Sequence, residues 1–310
     1  MTNAMSQPLA RQLVEFARTI RFSHTLFALP FALGTALVAD PPLPDGWSLA
    51  LLLACMVTAR TAAMGMNRVA DAAFDARNPR TADRAIPAGR LPRRAAVAFM
   101  LASALLFVLL AWLFLMLRDN RWPGVLAPGF IAVLLGYSYT KRFTLLSHWV
   151  LGLCLGLAPV GVWIALRGQV DLLPLFIGGA VLFWTAGFDI LYSLQDEAVD
   201  RREGLYSAAV RLGPVRAMLL AAMSHVATLL LLGLVLIVDD QRPDGPALGL
   251  ASRLAVLAIA VALVVQHRRA HHSTPREIAA AFTPLNVLVS FLWLAGVVAD
   301  VALAAWWPIR

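Results

Sequence analysis

The chain of 310 residues is 60% hydrophobic and 14% charged, carries a formal net charge of +8, and has a mean hydropathy of +0.74. That apolar share exceeds what an ordinary water-soluble domain carries, and no Gly/Ser-rich linker interrupts it, so residues 1–310 read as one membrane-embedded domain. The basic residues sort into alternate connections between apolar runs instead of forming one stripe, which argues against a nucleic-acid partner.

Residues 1–21 form an amphipathic segment. Leu9, Leu13, Val14 and Phe16 alternate with Arg11, Glu15 and Arg18, a pattern suited to a helix lying at the membrane interface. No small-residue cleavage site follows a short apolar core, so the segment is not read as a secretory leader. Apolar runs of about 18 residues or more, the length that crosses a bilayer, then recur to the end of the chain. They are expected near residues 22–38, 47–66, 95–117, 124–139, 146–166, 172–193, 215–238, 248–266 and 285–306. The fold class is therefore all-α, a multi-pass bundle of about nine transmembrane helices.

With the N-terminus inside, Arg18, Arg77, Arg94, Lys141, Arg142, Arg202, Arg216 and Arg269 all fall on cytoplasmic segments, and few arginines fall outside. The positive-inside rule thus fixes one orientation, with the C-terminus outside and the long charged loops facing the cytoplasm. Cys55 and Cys154 lie within spans and lack metal-ligand spacing, so they read as packing residues. Trp306 and Trp307 suit an interfacial anchor. There is also a faint internal echo. Residues 89–94, Gly-Arg-Leu-Pro-Arg-Arg, and residues 211–216, Arg-Leu-Gly-Pro-Val-Arg, each follow an aspartate-rich helix end and enter an apolar helix.

Those two helix ends carry the chemistry. Asn67, Asp71 and Asp75 recur every four residues and share a helical face at the cytoplasmic end of the second span. Asp189, Tyr192, Asp196 and Asp200 do the same, at offsets of three, four and four, after the sixth. Carboxylates arranged in this way repel unless a hard cation joins them. Magnesium uses one or two carboxylates together with phosphate oxygens, which implies a phosphate-bearing substrate. Glu197 lies off the second face and reads as solvated. The expected metal ligands are Asn67, Asp71, Asp75, Asp196 and Asp200. Arg60, buried about two turns before Asn67, together with Arg80, Arg84, Lys141, Arg142 and Tyr192, is expected to meet the diphosphate. Arg21 and His24 are expected to contact an aromatic carboxylate, and Asp189 to act as base or to orient that second substrate. His267, His271 and His272 read as part of a solvated basic loop.

At these residues the chain resembles the UbiA-type intramembrane prenyltransferase family. Asn67, Asp71 and Asp75, with Arg-Thr-Ala-Asp-Arg-Ala-Ile-Pro-Ala-Gly at 80–89, are similar to the family's first motif and its loop. Asp189 to Asp200 is similar to the second motif, and Tyr-Ser-Tyr-Thr-Lys-Arg at 137–142 to the segment closing the fourth helix. The resemblance implies magnesium-dependent transfer of a polyprenyl group from its diphosphate to an aromatic acid, in a bacterial inner membrane, with no obligatory protein partner. Where 4-hydroxybenzoate enzymes have Asn-Asp, this chain has Asn67-Arg68. With His24 to Pro30 in the first span, that form is similar to the branch associated with menaquinone made through futalosine, which prenylates a dihydroxynaphthoate. The acceptor is thus a 4-hydroxybenzoate-like acid or a dihydroxynaphthoate. The rival reading is a cation-coupled transporter, whose acids should lie near the midplane on broken helices.

Overall fold

The computed structural model describes residues 8–20, 25–243, 247–272 and 275–306. Every long regular element in them is a helix. In chain order these are α1 (Leu9–Thr19), α2 (Thr25–Ala39), α3 (Gly46–Arg77), α4 (Arg93–Arg118), α5 (Trp122–Thr140), α6 (Ser147–Arg167) and α7 (Leu172–Ser193). A 3-10 turn, Leu194–Asp196, leads into the short helices α8 (Glu197–Arg202) and α9 (Ala208–Leu212), followed by α10 (Pro214–Asp240), α11 (Leu250–His272) and α12 (Pro275–Trp306).

Among the described residues, eight helices are long and apolar enough to cross a bilayer, and the protein is an integral membrane protein. The first expected span differs. Its described part, α2, has 15 residues and so reaches about 22 Å, short of the hydrocarbon thickness of about 30 Å. Residues 21–24, which include Arg21 and His24, lie outside the described residues, as does Trp307.

Contacts gather the chain into two units, one of Met1–Thr25 with Ala50–Thr140 and the other of Leu26–Leu49 with Lys141–Arg310. In the first, Phe16 is the buried residue of α1 and packs with Val69, Ala85, Leu91 and Ala96, while Leu9, Leu13 and Val14 stay exposed as an apolar face for lipid. Glu15 reaches Arg90 at 3.5 Å, tying α1 to the loop that leaves α3.

In the second unit, α6 and α7 cross closely. A Cβ on Gly152 would strike the carbonyl of Leu182, and one on Gly156 the carbonyl of Gly178, so glycine is required for this approach. Phe27 and Phe31 of α2 pack on Trp184 of α7, at centroid distances of 6.4 and 5.3 Å, and Phe31 stacks on Trp293 of α12 at 6.0 Å. Far along α10, Asp239 accepts the Ala247 and Leu248 amides at 2.8 and 2.7 Å. Asp300 of α12 accepts those of Ala251 and Ser252 at 3.0 and 2.8 Å, capping the start of α11. Cys55 and Cys154 are buried thiols and form no disulfide. The two echoed segments share a device: Gly89 and Gly213 adopt φ of +73° and +78°, and each is followed by a proline that opens a helix.

Candidate active site

The first acidic motif lies in the last turns of α3. At 32 residues, α3 is about 48 Å long and overruns the apolar slab, carrying its last turns to the interface. Asn67 Nδ2 donates to Asp71 Oδ2 at 3.2 Å, as an i,i+4 pair on one face can. Asp71 and Asp75 are both buried, at 4% and 6% exposure. The loop after α3 folds back over this end. Thr81 donates to the Asp75 carbonyl at 3.1 Å, and Arg84 Nη1 reaches both Asp75 oxygens at 2.7 and 2.8 Å. Arg84 thus serves as a counter-ion of Asp75, a pairing the spacing alone does not show. Arg90 closes the loop through Asp83 at 2.8 Å, and these contacts hold its guanidinium pKa above the ordinary value. Arg80 is exposed, Arg60 is half-buried in α3, and Arg68 is buried.

The second motif departs from the expected single face. The α-helix stops at Ser193, whose hydroxyl donates to Ile190 O at 2.7 Å, and the 3-10 turn carries the chain to Asp196, the N-cap of α8. A 3-10 turn advances about 3.0 residues per turn against 3.6, so the register of four is lost between Asp189 and Asp196. Asp189 belongs to α7, Asp196 to the break and Asp200 to α8. Asp196, Asp200 and Tyr192 are partly exposed. Glu197 pairs with Arg201 at 2.8 Å on the surface, in keeping with a solvated role.

The connection from α8 to α9 packs back on Asp200, whose carbonyl accepts the Leu205 amide at 2.9 Å. Ser207 Oγ accepts from the Val210 amide at 3.4 Å and caps α9. The Tyr206 amide donates to the Lys141 carbonyl at 2.7 Å. Asp200 also lies within electrostatic reach of Asp196, Lys141 and His148. Arg142 is exposed.

Two histidines escape or contradict the sequence reading. His148, buried at the start of α6, has Nδ1 at 2.7 Å from Asp189 Oδ2, and its Nε2 accepts the Ala208 amide at 3.2 Å. A histidine inside an apolar run needs a partner, which is the signal available in the sequence. His267 is not in a solvated loop. It lies on α11 with Nε2 at 2.8 Å from Nδ1 of the buried His225 of α10. His271 and His272 close α11, and their side chains lie outside the described ones.

Among the described residues, no three His, Cys, Asp or Glu side chains form a closed metal cage. Each motif instead offers a pair of carboxylates, which fits a magnesium ion that completes its shell with phosphate oxygens and water. In the first pair both oxygens of Asp75 are engaged by Arg84, so a cation there competes with the guanidinium or shares the carboxylate with it.

Fold and site together define a many-helix membrane protein with one acid pair at the end of a long helix and another just beyond the end of a second. The chain belongs to the UbiA prenyltransferase family, whose pattern it matches over residues 27–295. It is 31% identical over 261 residues to a 4-hydroxybenzoate octaprenyltransferase of Azotobacter vinelandii, covering 83% of each chain. It is 28% identical over 298 residues to one from Aeromonas hydrophila, covering 96% of this chain and 98% of that one. A UbiA homolog from Aeropyrum pernix K1, solved in its apo form, superposes with a TM-score of 0.77 at 30% identity, covering 90% of this chain and 98% of that one. A UbiA homolog from Archaeoglobus fulgidus, solved bound to DMAPP and Mg2+, shares the fold with a TM-score of 0.67 at 20% identity, covering 93% and 99%.

Proposed function

We propose that this chain transfers a polyprenyl group from a polyprenyl diphosphate to a hydroxylated aromatic acid in quinone biosynthesis, with magnesium as cofactor. The observation that carries the reading is the buried acid pair Asp71 and Asp75 at the end of an apolar helix, in a chain of the UbiA family. Buried carboxylates side by side are costly unless a cation accompanies them. Relatives named as 4-hydroxybenzoate octaprenyltransferases support the aromatic acceptor.

Asn67, Asp71 and Asp75 would hold one magnesium, and Asp196 and Asp200 a second, both serving one donor diphosphate. Bound magnesium neutralises charge on the leaving diphosphate. Arg60, Arg80, Arg84, Lys141 and Arg142 add fixed positive charge toward the same group, and Tyr192 a hydroxyl. The C–O bond to the prenyl C1 breaks, diphosphate departs with the electron pair, and the ring carbon of the acceptor bonds to C1. The ring proton then passes to the Asp189 carboxylate. That intermediate is so strongly acidic that a weak base suffices. Arg21 and His24 would hold the acceptor's carboxylate, and the isoprenoid tail extends into lipid, where its burial is worth about 25 cal/mol per Å². The cytoplasmic side of a bacterial inner membrane, with the N-terminus inside, is the setting that the arginine distribution supports.

The test offers the purified protein a labelled polyprenyl diphosphate with 4-hydroxybenzoate or with 1,4-dihydroxy-6-naphthoate. Magnesium-dependent alkylation of either acceptor, with release of diphosphate, is expected, and the preferred one names the acceptor. A cation-coupled transporter would release no diphosphate, and the absence of product with both acceptors overturns the reading.

A further inference from the structure

We infer that His148 is a positioning residue for the acceptor-side carboxylate Asp189, acting as a neutral hydrogen-bond lock and not as a proton carrier or a metal ligand. The inference rests on the prenyl-transfer reading above and deepens its account of Asp189.

The two ring nitrogens have different partners. A backbone amide only donates, so the Ala208 N–H at 3.2 Å from Nε2 requires that nitrogen to be the acceptor. The ring proton therefore resides on Nδ1, which donates to Asp189 Oδ2 at 2.7 Å. That distance is in the short range of charge-assisted bonds. A second proton on Nε2 would set two N–H groups against each other, and a metal there would displace the amide, so neither use fits. Each nitrogen has a fixed task.

Burial makes the lock rigid. His148 is 4% exposed, and Ile190, Leu191 and Ala208 form the buried cluster alongside it, with Trp149 packed against them. The Asp189 side chain keeps 28% exposure, so one carboxylate oxygen is tied down while the group as a whole stays open to a substrate. Ala208, the first residue of α9, is itself fully buried. The Ala208 amide thereby fixes the ring that orients Asp189. The bond from Nδ1–H keeps the Asp189 carboxylate aimed, which suits a group that only has to receive a proton from a strongly acidic ring.

The experiment compares His148→Ala, His148→Asn, Asp189→Asn and the double variant His148→Ala/Asp189→Asn, purified in detergent, with steady-state kinetics in both substrates. His148→Ala should lower kcat/KM for the acceptor about 10- to 100-fold and leave the donor KM within about twofold of wild type, because the lock acts on one substrate. His148→Asn, which retains an amide donor toward Asp189, should recover part of that loss, and it carries the comparison where His148→Ala does not purify folded. The double variant should be no worse than Asp189→Asn alone, the mark of two residues acting as one unit. Additive losses, an equal rise in donor and acceptor KM, or wild-type kinetics in both His148 variants overturn the assignment. No product from the wild-type protein with either acceptor would instead refute the proposed function, so the two failures are distinct.

Discussion

Arg84→Ala removes the guanidinium whose Nη1 lies 2.7 and 2.8 Å from the two oxygens of Asp75. Leaving a fully buried charge without its partner costs about 3–5 kcal/mol. The Arg84 side chain is 24% exposed and water screens the pair, so the expected loss falls to about 2 kcal/mol. Magnesium offered to this variant meets a carboxylate no longer held by a cation. At about ten times its Kd it should restore about 1.4 kcal/mol. Thermal unfolding followed through the nine tryptophans measures both effects in detergent without any turnover. The variant should melt below wild type in chelator, and magnesium should raise its midpoint more than it raises that of wild type. Equal stability in chelator, or equal magnesium shifts in the two proteins, would refute the idea that Arg84 stands where a cation binds.

Other substitutions probe other parts. Asp71→Asn and Asp196→Asn should each lower turnover about 10³-fold in folded protein, measured as diphosphate release; near-normal rates in either would contradict its role. Gly156→Leu places a side chain against the Gly178 carbonyl at the crossing of α6 and α7, and should cost at least about 1–3 kcal/mol, read as a lower melting midpoint. Asp300→Ala strips the cap from the Ala251 and Ser252 amides. A loss of about 1–2 kcal/mol is expected, with faster hydrogen exchange confined to the start of α11.

The first acidic motif is legible in the sequence because α3 is continuous: an interval of four on an unbroken helix leaves Asn67 beside Asp71. The second is legible in composition but not in geometry, since the 3-10 turn between Ser193 and Glu197 has no signature that periodicity detects. The bundle itself follows from apolar run length, except at α2, where part of the expected span lies outside the described residues. Tertiary partners are invisible for a simple reason. His148 and Asp189 are separated by 41 residues and His225 and His267 by 42, and no local pattern joins them. Burial of a histidine in an apolar helix announces that a partner exists without saying which one. The Arg84–Asp75 pair is hidden in a related way, because spacing assigns each residue to a ligand and not to the other.

Both acid pairs are expected to serve one prenyl diphosphate. A structure determined with Mn2+ and a non-hydrolysable prenyl thiodiphosphate, using anomalous scattering to locate the ions, tests it most directly. The account predicts ions on Asp71 and on Asp196 that contact the same diphosphate. Ions at only one of these aspartates, or a diphosphate bound away from both, would contradict it.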